Sequence, residues 1–202
     1  MDGTDSAVKF LSLGYDCRAG FQIRRYFGKQ RCLPSIFDRQ ITPPQALYEY
    51  LQRDFRGMFE AGDVKRAGGY LYNMRYGTRY SHEVEDAFNA SYEAGFTAHE
   101  RLCDATREAL SGDTPLTFVI HAMASFELPN ELDGVLARWF PRLNFKTVVL
   151  RDEGQQTHGQ AEWRGNNAVW DEQLALLGPP QEKRPTFPQW ERLKRHLRRR
   201  HF

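Results

Sequence analysis

Cysteine is scarce in this chain of 202 residues: there are three, Cys17, Cys32 and Cys103. A small, odd number argues against a disulfide framework and fits a reducing compartment. No two of them form a CxxC pair, so no structural zinc site is expected. Neither a metal nor another cofactor is predicted. Long apolar runs are missing too. No stretch approaches the ~20 residues that a membrane-spanning helix needs. The start, Met1-Asp2-Gly3-Thr4-Asp5-Ser6, is polar and acidic, where a secretory leader is basic and then apolar. These absences predict a cytoplasmic protein. The chain has no GxGxxG fingerprint and no Walker motif, which leaves a nucleotide-binding reading without its usual backbone cradle.

What is present suits a globular core. Hydrophobic residues make up 41% and aromatics 13%. A chain of this length buries roughly 70% of its unfolded surface and needs no covalent staples. The expected organisation is one domain over residues 1–180 and a basic, helical tail over 181–202. The net charge of +2 hides an asymmetry. Lys183 to Phe202 holds eight Lys or Arg and one Glu, a net +7, which leaves the remainder at −5. Trp190, Leu193 and Leu197 fall at i, i+3 and i+7, the stripe of a basic amphipathic helix. Such a tail suits an anionic surface or an acidic partner, and allows a position peripheral to a membrane. A solvated terminal helix docked by Trp190 is the competing reading.

Along the chain, Val8–Leu13 reads as a short buried strand. Arg18–Phe27 reads as a helix, capped by Asp16 and closed by Gly28. Leu33–Phe37 is expected as a second strand ending at Asp38. Pro43-Pro44 opens a helix to about Gln52, and Asp54–Glu60 is read as a further helical turn or two. Tyr70–Arg75 and Thr78–Val84, around Tyr76-Gly77, read as a β-hairpin with His82 near the end of its second strand. Ala87–Leu110 is a long helix that Gly95 and Thr97 could divide. Pro115–Ile120 is a buried strand running into His121. Pro129–Phe140 is an amphipathic helix with Trp139 on its apolar face. Lys146–Leu150 is a strand leading to Arg151-Asp152, and Ala168–Leu177 is a helix. Alternating strands and helices predict an α/β layered domain with a mostly parallel sheet, flanked by helices, with the hairpin as an insertion. Sites in such sheets lie beyond the carboxyl ends of the strands. Cys17, Asp38, His121 and Asp152 all follow inferred strand ends.

Cys17 is the leading candidate nucleophile. It sits at a strand-to-helix turn, on the first turn of the helix, where backbone N–H groups carry partial positive charge. That field favours a thiolate and predicts a lowered pKa. Packing of the helix onto the sheet is the competing role for this cysteine. Cys32 and Cys103 have weaker contexts, and Cys103 reads as core filling. The base should be a histidine. His82 is the first choice and His121 its rival. His99 lies within the long helix, His158 in a loop, and His196 and His201 in the tail. Asp38 is the first choice for the group that orients the imidazole, with Asp86 and Asp152 as alternatives. Gly14 would allow close backbone approach, and the N–H of Cys17 and its neighbours would form an oxyanion hole.

These segments resemble a bacterial family of unknown function described as papain-like cysteine peptidases. The resemblance lies in Phe10-Leu11-Ser12-Leu13-Gly14-Tyr15-Asp16-Cys17, Ile23-Arg24-Arg25, Ile36-Phe37-Asp38 and Ser81-His82-Glu83. Family members show a Ser-Leu-Gly-x-x-Cys turn, a Pro-Phe-Asp-Trp segment and a His-Asp-Phe segment in this order. This chain has Ile36 and Arg39 in place of Pro and Trp, and Glu83-Val84 in place of Asp-Phe. The resemblance spans roughly residues 8 to 153. It implies that Cys17 is the nucleophile, His82 the base and Asp38 the acidic partner. It also implies a papain-like α+β fold as the alternative architecture. The expected function is a cysteine-dependent hydrolase or acyltransferase acting on an amide, peptide or ester. Two alternatives stand beside it: a non-catalytic binding or accessory protein, and a cell-envelope or polysaccharide-modifying protein held at a membrane surface by its tail.

Overall fold

A computed structural model describes residues 8–122, 132–151 and 164–181. Asp152, His158 and the tail from Lys183 to Phe202 lie outside the described residues. The described elements form a mixed α/β domain with two sheets flanked by six helices. β1 (Lys9–Ser12), β6 (Leu116–Ala122) and β7 (Phe145–Arg151) make a three-stranded parallel sheet in the order β1-β6-β7. β2 (Gln40–Ile41), β3 (Val64–Ala67), β4 (Tyr70–Asn73) and β5 (Thr78–Tyr80) make a second, antiparallel sheet in the order β2-β5-β4-β3. The helices are α1 (Cys17–Phe27), α2 (Pro44–Gln52), α3 (His82–Phe88), α4 (Tyr92–Ser111), α5 (Leu132–Trp139) and α6 (Asn167–Ala175).

All seven residues of β6 are buried, as expected of a central parallel strand covered on both faces. Its side chains alternate between two cores. Val119 joins Phe10 of β1, Ile23 of α1 and Trp170 of α6 on one face. Phe118 and Ile120 join Leu11, Leu47 of α2, Leu136 of α5 and Tyr80 of the second sheet on the other. α1 and α6 therefore cover one side of the parallel sheet. The second sheet and several other helices lie on the opposite side.

The expected parallel layer is present, but the hairpin is not its appendage. It belongs to a separate sheet with β2 and β3, because Gly68 and Gly69, both at positive φ, turn the chain for an extra strand. Four local expectations change as well. Residues 36–39 form a 3-10 turn, not the end of a strand, since Ser35 Oγ accepts from the Phe37 N–H and closes the turn. Asp54 and Phe55 take positive φ in a turn where a short helix was expected. The long helix divides at Asn89–Ser91, where Ser91 caps α4 through the Ala94 N–H, and not at Gly95. Gly95 is needed because a Cβ there would meet Phe88 at 2.9 Å. Trp139 is half exposed rather than on a buried face.

Candidate functional site

Cys17 is the first residue of α1, and Asp16 caps the helix by accepting from the Arg18 N–H at 3.0 Å. Cys17 therefore lies beyond the carboxyl end of β1, as read from the sequence. Asp38 reaches the same place from the 3-10 turn. Ser35 Oγ donates to the Ser12 carbonyl at 2.8 Å, and the Ile36 N–H donates to Thr106 Oγ1 at 2.9 Å. The turn is thus tied to β1 and to α4. The N–H and the hydroxyl of Ser81 both donate to the Arg39 carbonyl, at 3.0 and 2.9 Å. This pins the start of α3, and with it His82, against the turn. His82 is the first residue of α3, at φ 54°. It was expected near the end of a strand. The strand stops at Tyr80, and Ser81, in extended conformation and with its hydroxyl given to the Arg39 carbonyl, precedes a helix whose first turn carries Glu83 and Glu85.

Cys17, Asp38 and His82 line one pocket of about 420 Å³. Its other walls are Phe21, Arg24 and Arg25 of α1, Lys29 just past the Gly28 cap, and Arg39 of the turn. Cys17, Phe21, Arg24 and Arg25 recur at the spacing of one helix face. A larger cleft of about 580 Å³, lined by Leu51, Arg53, Asp54, Arg107, Trp139 and Phe140 among others, contains none of the candidate catalytic residues.

The electrostatics differ from the expectation. Burial raises the Cys17 thiol pKa, and the neighbouring Asp16 and Asp38 carboxylates raise it further. The backbone N–H at the helix start and Arg18 act the other way and do not prevail. The predicted lowering is therefore corrected: the field of one helix end is outweighed by desolvation and two carboxylates. Cys17 is nevertheless the only one of the three thiols that is partly exposed. Burial pushes Cys32 up to about 12 and Cys103 well above its usual range. His82 shifts down, first through burial and then through the Arg39 charge, so it is neutral near pH 7. Asp38 is buried and shifts up to about 6, because desolvation exceeds the pull of Arg24 and Arg39. Its Oδ2 pairs with Arg24 at 3.1 Å, while Oδ1 is buried without a hydrogen-bond partner.

Gly14 takes φ 94°, and its N–H is bonded to Ser12 Oγ at 3.3 Å. It shapes the turn, but its own N–H is already engaged. His121 lies within β6 rather than after it, since the strand runs on to Ala122. It is fully buried, with Nδ1 3.1 Å from Asp16 Oδ1 and its ring against Trp170. His121 therefore supports the residue that caps α1, one position before Cys17. The other secondary candidate, Asp152, is among the residues not described.

A second constellation was not read from the sequence. His99, Glu100 and Cys103 of α4 offer ligand-type atoms within 4.8 Å of one another. The His99 Nδ1 is 3.3 Å from Glu100 Oε1 and 3.6 Å from Cys103 Sγ, and its Nε2 is 2.8 Å from the Tyr50 hydroxyl. His99 and Cys103 are fully buried, and burial keeps His99 neutral. The three residue types are compatible with a catalytic or metal-binding function in general terms and specify no reaction. The signal for them was available: an i, i+4 His-Cys pair on a predicted helix shares one face.

No family model, no curated protein and no solved structure matches this chain. No helix of the described residues is long and apolar enough to cross a membrane.

Proposed function

We propose that the protein is a cysteine-dependent hydrolase or acyltransferase acting on an amide, peptide or ester. Cys17 is the nucleophile, His82 the base and Asp38 the carboxylate that steadies the imidazolium. The observation that carries this reading is the shared pocket: one half-buried thiol, one neutral imidazole and one buried carboxylate line the same cavity. The resemblance to papain-like cysteine peptidases, carried by the Cys17, Asp38 and His82 segments, points the same way.

The pKa directions select the form of the mechanism. With the thiol raised and the imidazole lowered, the resting pair is neutral. His82 removes the Cys17 proton as Sγ bonds to the substrate carbonyl carbon, which is general-base catalysis. The C–N or C–O bond then breaks, and the His82 proton passes to the leaving group. Water or an acceptor then adds to the thioester carbonyl and gives its proton to His82; the C–S bond breaks and that proton returns to Cys17 Sγ. The carboxylates whose charge acts on His82 in the resting structure are Asp86 and Glu85; Asp38 lines the same pocket, and its Oδ1, an acceptor without a donor, would take up the imidazolium charge as His82 is protonated. Turnover on a panel of activated esters and amides tests this. Cys17→Ala should remove it, and His82→Gln should lower it at least about a hundredfold. Undiminished turnover in Cys17→Ala contradicts the reading.

The raised Cys17 pKa favours a second reading, a binding protein that keeps the pocket without chemistry. Saturable ligand binding that survives Cys17→Ala, with no turnover in either protein, would support it.

A further inference from the structure

The charges around Cys17 bear on what enters the pocket. Four cationic side chains line it, against one carboxylate, Asp38. Two of the four are compensated: Arg24 by Asp38 at 3.1 Å, and Arg25 by Asp171. Lys29 and Arg39 pair with no carboxylate among the described residues. Among the described residues, two of the pocket's four cations thus have no ion-pair partner. Lys29 is exposed, but Arg39 is only partly exposed. The Arg39 charge acts on both Asp38 and His82, so it lies close to the reacting groups. Phe21 supplies an apolar wall. Asp16 acts on Cys17, and Asp86 and Glu85 act on His82, from around the pocket, but in its lining cations outnumber carboxylates four to one. A concave site with an excess of one charge beside an apolar wall concentrates ligands of the opposite sign. A guanidinium fork suits the planar, two-oxygen face of a carboxylate or a phosphate.

We infer that the Cys17 pocket accepts acyl substrates that carry an anionic group, held by Arg39 and Lys29. This rests on Cys17 being the nucleophile, and the test separates the two claims. Iodoacetate and iodoacetamide alkylate a thiol by the same displacement. Sulfur bonds to the methylene carbon, iodide leaves and the thiol proton is lost. The two reagents differ chiefly in charge. The quantity measured is the ratio of their rates at Cys17 in the native full-length chain, by peptide mass mapping, relative to the same ratio for a short cysteine peptide.

The expected ratio is about five- to tenfold above that of the peptide. It should fall toward the peptide value at high ionic strength and in Arg39→Gln and Lys29→Gln. Arg39→Lys, which keeps the charge, should retain most of the preference. Inorganic phosphate and acetate, added at matched ionic strength, should each slow the iodoacetate reaction if the anchor accepts both anions. Protection by one alone identifies that group as the ligand chemistry. Reaction at Cys17 with both reagents in the peptide's ratio overturns the anion anchor and leaves the nucleophile standing. Failure of Cys17 to react with either reagent, while the unfolded chain does, overturns both.

Discussion

Gly20 of α1 and Asp38 of the 3-10 turn meet where only hydrogen fits: a Cβ on Gly20 would lie 1.8 Å from Asp38 Oδ1 and 2.5 Å from Cγ. The carboxylate is buried and short, and its Oδ2 is held by Arg24, so it cannot swing aside without losing that partner. Helix propensity alone would favour alanine at a helical glycine by about 1 kcal/mol. Here overpacking should reverse the sign, and Gly20→Ala should destabilise by about 1–3 kcal/mol. Gly134 in α5 is the matched control, because a Cβ there meets nothing within 4 Å. Gly134→Ala should stabilise by about 0.5–1 kcal/mol. Chemical denaturation of both variants checks the pair.

Asp38 makes stability depend on pH in the direction opposite to that of a typical salt-bridged carboxylate. Its folded pKa of about 6 exceeds the ordinary 3.8. The folded state therefore binds more protons than the unfolded state between these values. Its contribution is fully favourable below about pH 4 and is lost as pH rises through about 6. Asp38→Asn should remove this slope, and the difference between the two stability curves across the window should be on the order of 2–3 kcal/mol. Parallel curves for the two proteins would show that Asp38 is not perturbed.

The Cys17 thiol should respond to pH as a raised group. Its alkylation by iodoacetamide should climb through and beyond the ordinary thiol value of 9.0. A plateau already reached near neutrality would indicate a preformed thiolate and imidazolium pair, contrary to the neutral pair argued above.

Tyr50 and His99 share a buried hydrogen bond of 2.8 Å. Tyr50→Phe keeps the ring but leaves His99 Nε2 without this partner, and should cost about 1–3 kcal/mol. Its effect on Cys17 reactivity should be small, since neither residue lines that pocket. A thermal or denaturant midpoint together with an alkylation rate separates the two effects.

Much of this layout is legible in the residues. β1, β6 and β7 follow from short apolar runs. Asp16 and Gly28 mark the two ends of α1, and Pro43-Pro44 opens α2. The placements of Asp38 and His82 on local elements were misread for a common reason. Ser35 and Ser81 both fall inside runs that resemble strands, Leu33–Phe37 and Thr78–Val84, yet each begins a turn or helix by taking an extended conformation. Serine at a cap competes with strand pairing. The thiol's raised pKa was not legible, because it depends first on burial of the thiol in the folded chain, to which the adjacent Asp16 and then Asp38, folded beneath α1 into the gap left by Gly20, add. The clustering of four cations shows the same division. Arg24 and Arg25 fall on a readable helix face and Lys29 follows the helix's end, but Arg39 arrives through a tertiary contact.

The central claim is that Cys17 forms an acyl bond with the help of His82. Brief reaction with an activated ester, acid quenching and peptide mapping would locate the adduct. The account predicts a thioester on Cys17, absent in Cys17→Ala and formed much more slowly in His82→Gln. An adduct on Cys32 or Cys103 with Cys17 unmodified, or no adduct on the folded protein, would contradict it.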